Sequence, residues 1–344
     1  VEYATILEHF RADMEANGPR AGLQKFARKQ LLSVLTNPKR FATSLKVAGL
    51  LSRFTGKRNS LPGFVAELLT GSPNVSMTLP ATPEKIALKQ LPECSLAIGK
   101  RRYRVGVLAG CVMRVLFHGA NEATVRVLQR NGCEVIAPRT AGCCGALHLH
   151  TGYMSEAKRR ARALLDALDG VKMDAFIVNS AGCGSTLKEY GEILEDDPVY
   201  AERAKAFAAR VRDISEFLVE MGAEPPSGPF PATVAYHDAC HLAHGQKITH
   251  PPRQLLKSVP GLQLVDLPES DTCCGSAGIY NLTQPGMARR LLERKVDFIA
   301  QTGASVVATG NPGCLAWIQQ GLLERGLSIQ VMHPVEILDV AYRA

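Results

Sequence analysis

The chain has 344 residues, 46% hydrophobic and 21% charged, with a formal net charge of +8. That apolar content excludes disorder and is enough for two domains with real cores, and no apolar run is long enough to span a bilayer. Ten cysteines in such a length are too sparse for a disulfide-stapled secreted scaffold, and no signal-peptide pattern opens the chain, so a cytoplasmic location with thiolates free for metal is the expectation.

The chain enters helical pattern directly at Val1, which points to a segment lying ahead of it. Residues 1–58 hold 11 Lys+Arg against 4 Asp+Glu and so carry most of the net charge. Pro19 and Pro38 divide the segment into helical stretches with apolar positions at Phe26, Leu31, Leu35, Leu45, Leu50 and Phe54. This basic helical arm reads either as a solvated helix face or as a docking surface for an anionic membrane or an acidic partner subunit. Nucleic acid is excluded as a partner, because no aromatics are interleaved with the basic residues and no reading motif accompanies them. Residues 59–101, with Pro62, Pro73, Pro80, Pro83 and Pro92, read as an extended linker wrapping the domain surface. Cys94, in this linker, reads as a free structural thiol.

From residue 102 the chain alternates strand and helix, and it does so twice, over 102–222 and 223–344. Strands are expected at Tyr103–Ala109, Glu134–Ala137 and Ala175–Asn179, with helices at Asn121–Arg130 and Ser155–Leu168. The second copy repeats the order, with strands at Thr233–His237, Gln263–Leu267 and Ser305–Thr309 and helices at Pro252–Ser258 and Pro285–Ala300. The tails agree too: Val211, Glu216 and Leu218 match Val331, Glu336 and Leu338. Continuous apolar strands separated by helices argue for an α/β fold of two pseudo-symmetric halves, each a parallel sheet covered on both faces. Cys133 opens an apolar strand and reads as a small core residue.

A shift of 129 to 131 residues carries Cys111, Cys143, Cys144 and Cys183 onto Cys240, Cys273, Cys274 and Cys314. In an open parallel sheet, residues thirty or forty apart meet at the rim where strands end and helices begin. Helix N-termini there lower thiol pKa and favour an anionic centre. Glycines beside the cysteines, Gly145, Gly184 and Gly275 among them, allow the backbone to approach and donate to sulfur. Four converging thiolates suit zinc or an iron-sulfur cluster, and spacing alone does not separate the two. His237, His241 and His244 surround Cys240, and His148 and His150 follow the first Cys-Cys-Gly. Of these, His241 is the best candidate for a cofactor contact, while loop-satisfying polar residues are the plainer reading. No dinucleotide fingerprint, P-loop or zinc-protease motif is present, so no catalytic residue is assigned.

The motifs Ala141-Gly142-Cys143-Cys144-Gly145-Ala146 and Thr272-Cys273-Cys274-Gly275-Ser276-Ala277-Gly278 resemble the cysteine-rich CCG domains of iron-sulfur oxidoreductase subunits. Ser180-Ala181-Gly182-Cys183-Gly184 and Tyr236-His237-Asp238-Ala239-Cys240-His241-Leu242-Ala243-His244-Gly245 are most similar to the glycolate oxidase iron-sulfur subunit family. That family begins with ferredoxin-like 4Fe-4S modules bearing Cys-x-x-Cys-x-x-Cys runs, which these 344 residues lack. The resemblance implies one or two 4Fe-4S clusters held by the eight cysteines, and a flavin-containing partner subunit where glycolate is oxidised. It also implies electron transfer toward a quinone at the inner face of a membrane, which the basic arm would touch. Related heterodisulfide reductase subunits use a fifth cysteine per motif; here Ser180 and Asn311 stand in those places, so each copy offers four thiolates. A heterodisulfide-reductase-like thiol-disulfide oxidoreductase and a zinc-stabilised interaction module are the alternatives.

Overall fold

A computed structural model describes residues 3–18, 22–55, 63–70 and 88–344. The arm is helical: α1 (Tyr3–Asn17), α2 (Gly22–Leu35), α3 (Pro38–Thr55) and α4 (Gly63–Thr70). Pro38 takes the first helical position of α3, and the Asn37 Oδ1 just before it accepts from the backbone N–H of Lys39 at 3.1 Å and of Arg40 at 3.2 Å. Free N–H groups at a helix start are satisfied in this way, and a proline there gives up none. Phe41 and Ala42 are buried, with Leu35 and Leu45, against Val115 of the first repeat. The arm is therefore part of the packed body. The Phe54 side chain and residues 56–58, named in the sequence reading of the arm, lie outside the described residues.

Of the expected linker, 59–62 and 71–87 lie outside the described residues, and 63–70 is the helix α4. Downstream, β1 (Cys94–Ser95) adds an antiparallel edge to the first sheet, pairing Cys94 with Ile136 and Ser95 with Val135. The first sheet is thus parallel except at that edge. A strand of two residues has no alternation to read, which is why the sequence shows only a linker there. The Cys94 thiol is exposed, 3.9 Å from Glu134 Oε1, while Cys133 is fully buried in the core.

The first repeat runs β2 (Tyr103–Val107), α5 (Val112–Leu116), α6 (His118–Arg130), β3 (Cys133–Ile136), α7 (Ala146–Leu149), α8 (Met154–Ala167), β4 (Ala175–Val178), α9 (Ala181–Lys188), α10 (Tyr190–Ile193), α11 (Ala201–Ala208), β5 (Val211–Asp213) and α12 (Ile214–Glu220). The second runs β6 (Thr233–Tyr236), a π-helical turn (His241–Gly245), α13 (His250–Lys257), β7 (Gln263–Val265), α14 (Tyr280–Thr283), α15 (Pro285–Gln301), β8 (Val306–Ala308), α16 (Pro312–Glu324), β9 (Gln330–Met332) and α17 (Pro334–Arg343). Sheet orders are β1-β3-β2-β4-β5 and β7-β6-β8-β9. Apart from β1, both sheets have the parallel order second-first-third-fourth. Every residue of β4 and β8 is buried, as strands covered by helices on both faces require. The chain reverses direction beside the first strand of each repeat, and crevices for ligands open at such switch points, beyond the strands' carboxyl ends.

The matched tails are capping boxes. Asp213 caps α12: its Oδ1 accepts from Ser215 N–H at 2.8 Å, while Glu216 Oε2 accepts from Asp213 N–H at 3.0 Å. His333 caps α17 with Nδ1 accepting from Val335 N–H at 3.1 Å, and Glu336 Oε2 accepting from His333 N–H at 2.9 Å. The repeated glutamate is the third-position member of both boxes. His333 Nε2 donates to Asn179 O at 2.8 Å, which fixes the neutral tautomer, and burial holds its pKa down to about 4.

Burial raises the Asp213 carboxyl to about 6. A carboxyl raised above its unfolded value binds more protons in the native state between the two pKa values, so stability falls as pH rises from about 4 to about 6 and stays reduced above that. Asp213→Asn keeps an accepting oxygen at the cap without the buried charge. It is expected to gain about 3 kcal/mol over the parent at pH 8 and nothing at pH 4, read from urea melts at both pH values. Equal effects at the two would refute the assignment.

The helix that closes each repeat lies on the other repeat. α17 packs along α6, where Arg126 Nε and Nη2 clasp the buried Asp339 carboxylate at 2.8 and 2.7 Å, and α12 packs on α13. One hydrophobic core consequently runs through both halves, from Val105, Val135 and Phe217 to Val234, Leu256 and Ile337.

Candidate metal centre

All eight duplicated cysteines stand just past strand ends. Cys111 is the N-cap of α5, Cys143 and Cys144 lie in the loop before α7, and Cys183 is in the first turn of α9. In the second repeat, Cys240 is the N-cap of the π-helical turn, Cys273 and Cys274 precede α14, and Cys314 is in the first turn of α16. The two sets do not sit in separate halves of the surface. They line one cavity of about 640 Å³ between the repeats. Its opposite wall is the arm, through Leu31, Val34, Leu35, Leu45 and Leu69. Among the described residues, no Asp, Glu, Lys or Arg lines it. The apolar stripe of the arm thus faces the cysteines; Phe26, also on the cavity wall, keeps much of its surface exposed, as does Leu50.

Within each set the sulfurs are close enough to share protons. Cys111 and Cys143 Sγ are 3.7 Å apart. Contact with the Cys111 and Cys144 thiols, and the Gly145 N–H, hold Cys143 well below the usual thiol range, and the same bonding pushes Cys111 and Cys144 up. The second set repeats the pattern: Cys240 and Cys274 lower Cys273 and are themselves raised. Cys314 is lowered in turn, chiefly by the Cys274 thiol. A buried thiol that stays deprotonated among hydrogen-bonding neighbours is a soft-metal ligand in waiting.

Gly145 and Gly275 take left-handed backbone, φ 90° and 92°, and this turns their N–H groups onto sulfur: Gly145 to Cys143 Sγ at 3.5 Å and Gly275 to Cys273 Sγ at 3.3 Å. Gly184 is placed differently. Its N–H bonds to Ser180 O within α9, and a side chain there would meet Gln246 Nε2 at 2.6 Å, so it serves the close approach of the two repeats. That approach is pinned by Gln246 Nε2 donating to Ala181 O at 3.0 Å and by Gly182 N–H donating to Asn311 Oδ1 at 3.2 Å.

Of the histidines, His241 does line the cavity, with Nδ1 3.6 Å from Cys240 Sγ. Its ring lies 4.5 Å, centroid to centroid, from that of His150 across the repeats. His150 Nδ1 meets Glu8 Oε1 of α1 at 2.8 Å. Burial holds both imidazoles down to about 4 and raises Glu8, so this contact is a hydrogen bond from a neutral ring. His244 is exposed at Asp271 O, and His148 is buried behind α7, outside the cavity wall. His237 is the residue that sequence reasoning underweighted. Fully buried at the end of β6, it joins Cys274 and Cys314 in a group whose donor atoms all lie within 4.8 Å of one another. The signal was there in the repeat: the shift that carries Cys111 onto Cys240 carries Leu108 onto His237.

Residues 105–188 and 234–319 match the cysteine-rich domain CCG. Over 346 residues the chain is 34% identical to the probable glycolate oxidase iron-sulfur subunit of Bacillus subtilis, covering 98% of this chain and 78% of that protein. It is 30% identical to the glycolate oxidase iron-sulfur subunit of Escherichia coli over 99% of its own length and 77% of the relative. Lactate utilization protein A of Exiguobacterium is 32% identical over 68% of this chain and 96% of that protein. No helix among the described residues is long and apolar enough to cross a membrane. With two matched copies of the cysteine motif and full-length similarity of this order, the chain belongs to the CCG cysteine-rich family that includes the glycolate oxidase iron-sulfur subunits.

Proposed function

We propose that this chain is an iron-sulfur electron-transfer subunit of a glycolate oxidase type of oxidoreductase, taking electrons from a flavin-containing partner and passing them toward a quinone or other acceptor. The observation that carries this reading is the pair of equivalent four-thiol nests on one cavity that no charged side chain lines among the described residues, each with a glycine N–H aimed at the first sulfur of its pair. Cys111, Cys143, Cys144 and Cys183 would hold one 4Fe-4S group, and Cys240, Cys273, Cys274 and Cys314 a second. Such a group supplies a one-electron couple whose potential follows net charge, sulfur hydrogen bonds and solvent access. The donor set fits it, being all-thiolate, fourfold and backed by glycine N–H groups aimed at sulfur.

The protein's own part is to tune and insulate. Gly145 and Gly275 place N–H dipoles against thiolate charge, and the arm's leucines keep water off the nests. Substrate oxidation is assigned to the flavin-containing partner. The basic outer face of the arm, with Lys29, Lys39, Arg40 and Lys46 exposed, is proposed to meet an anionic membrane surface or acidic partner.

Protein purified without oxygen is expected to be brown, to contain iron and acid-labile sulfide in equal amounts, and to give an electron paramagnetic resonance signal on reduction with dithionite. A colourless protein holding stoichiometric zinc would instead establish the interaction module. Turnover of a disulfide substrate would establish the heterodisulfide-reductase-like alternative.

A further inference from the structure

The two nests differ in what lies behind their sulfurs. Both have a glycine N–H on the first cysteine of the pair. Cations stand near both, Arg160 by Cys143 and Arg114 by Cys111 at the first, Lys295 by Cys274 and Cys314 at the second. At the first nest, the position under the sulfurs is Leu108 and the residue three before the last cysteine is Ser180. At the second, these become His237 and Asn311. Asn311 Nδ2 donates to Cys314 Sγ at 3.5 Å. His237 has no exposed surface, and neither of its ring nitrogens has an oxygen or nitrogen partner among the described residues, while the ring reaches the Cys314 thiol.

An imidazole in that position is costly unless something accepts its N–H. Sulfur acceptors lie close: ring nitrogen, Cys274 Sγ and Cys314 Sγ fall within 4.8 Å of one another. The Tyr236 and Thr309 hydroxyls are likewise without hydrogen-bond partners among the described residues. Four cysteines already complete the ligand set of the second nest. A fifth donor therefore has a use as a hydrogen-bond donor to sulfide or thiolate.

We propose that His237 donates its ring N–H to the sulfur of the centre held by Cys240, Cys273, Cys274 and Cys314, making that centre the higher-potential one and the electron sink of the pair. This rests on the iron-sulfur reading above. Hydrogen bonds to sulfur stabilise the reduced, more negative state, and His237 and Asn311 stand at the second centre where the first has Leu108 and Ser180. Electrons entering the chain come to rest on the second repeat.

The test is a potentiometric titration of the iron-loaded protein followed by electron paramagnetic resonance, on the parent, His237→Leu and His237→Gln. The parent is expected to show two one-electron steps. His237→Leu, which copies Leu108, should weaken reduction of the higher-potential centre at least tenfold, about 59 mV for a one-electron couple, with the other step unmoved. His237→Gln keeps an N–H and should recover part of the shift. Iron-loaded His237→Leu with both steps unmoved would overturn the proposal while leaving the iron-sulfur reading intact. So would loss of the second centre in both variants with the first retained, or a nitrogen hyperfine coupling of the size given by direct coordination, because either makes His237 a ligand. A parent protein that takes up no iron sinks the iron-sulfur reading itself.

Discussion

Serine at both Cys143 and Cys144 is expected to remove about half of the bound iron, serine at both Cys273 and Cys274 the other half, and all four together nearly all of it, since each centre of this kind draws four thiolates from its own set. In each nest the first cysteine of the pair receives hydrogen bonds from two other thiols, and the second supplies one of them. Removing the pair leaves two sulfurs, too few to hold a cluster. The measurement is iron per chain by mass spectrometry, with circular dichroism confirming that the fold survives. If one double variant loses all the iron and the other loses none, a single centre exists and the second set of thiols is structural. Full retention in both would remove the paired cysteines from the ligand set.

Alanine at Gly275 should be among the most damaging single-atom additions in the chain. The position has φ 92°, and a methyl group there would sit 2.4 Å from the backbone carbonyl oxygen of Ala288 in α15. Left-handed backbone costs an ordinary residue about 1–2 kcal/mol, and the clash with a buried helix backbone has no flexible side chain to absorb it. A loss of at least ~3 kcal/mol is expected from the two together. Gly145→Ala shares the dihedral penalty but approaches Ala157 O only to 3.2 Å, so its loss should be smaller. Gly170→Ala, with φ 70° and nothing within 4 Å, isolates the dihedral part. Guanidinium melts should rank them Gly275, Gly145, Gly170. Equal losses at Gly275 and Gly170 would show that the loop yields, and with it the N–H···S contact at Cys273.

The ranking makes plain what the sequence could and could not disclose. Cysteine spacing and apolar runs were legible because each is local: a strand end and the helix after it announce themselves within ten residues, and the duplication checks every assignment twice. The repeated Glu216 and Glu336 were visible as a match, and their part in the capping boxes needed only the backbone around them. Harder to see was anything that depends on two distant segments. Cys94 and Ser95 become a strand only because β3 has a free edge. Leu31, Leu35 and Leu45 show amphipathicity but not what they cover, and they cover the sulfurs. In sequence His237 is one histidine among several beside Cys240; its full burial next to Cys274 and Cys314 appears only in the packed fold.

The single apolar interior shared by the two repeats has a mechanical consequence. With α17 resting on the first half and α12 on the second, a swing of one half against the other would unpack residues such as Phe217 and Ile337. On the iron-sulfur function proposed above, the separation between the two centres would be set when the chain folds, and control of electron flow would fall to docking at the surface.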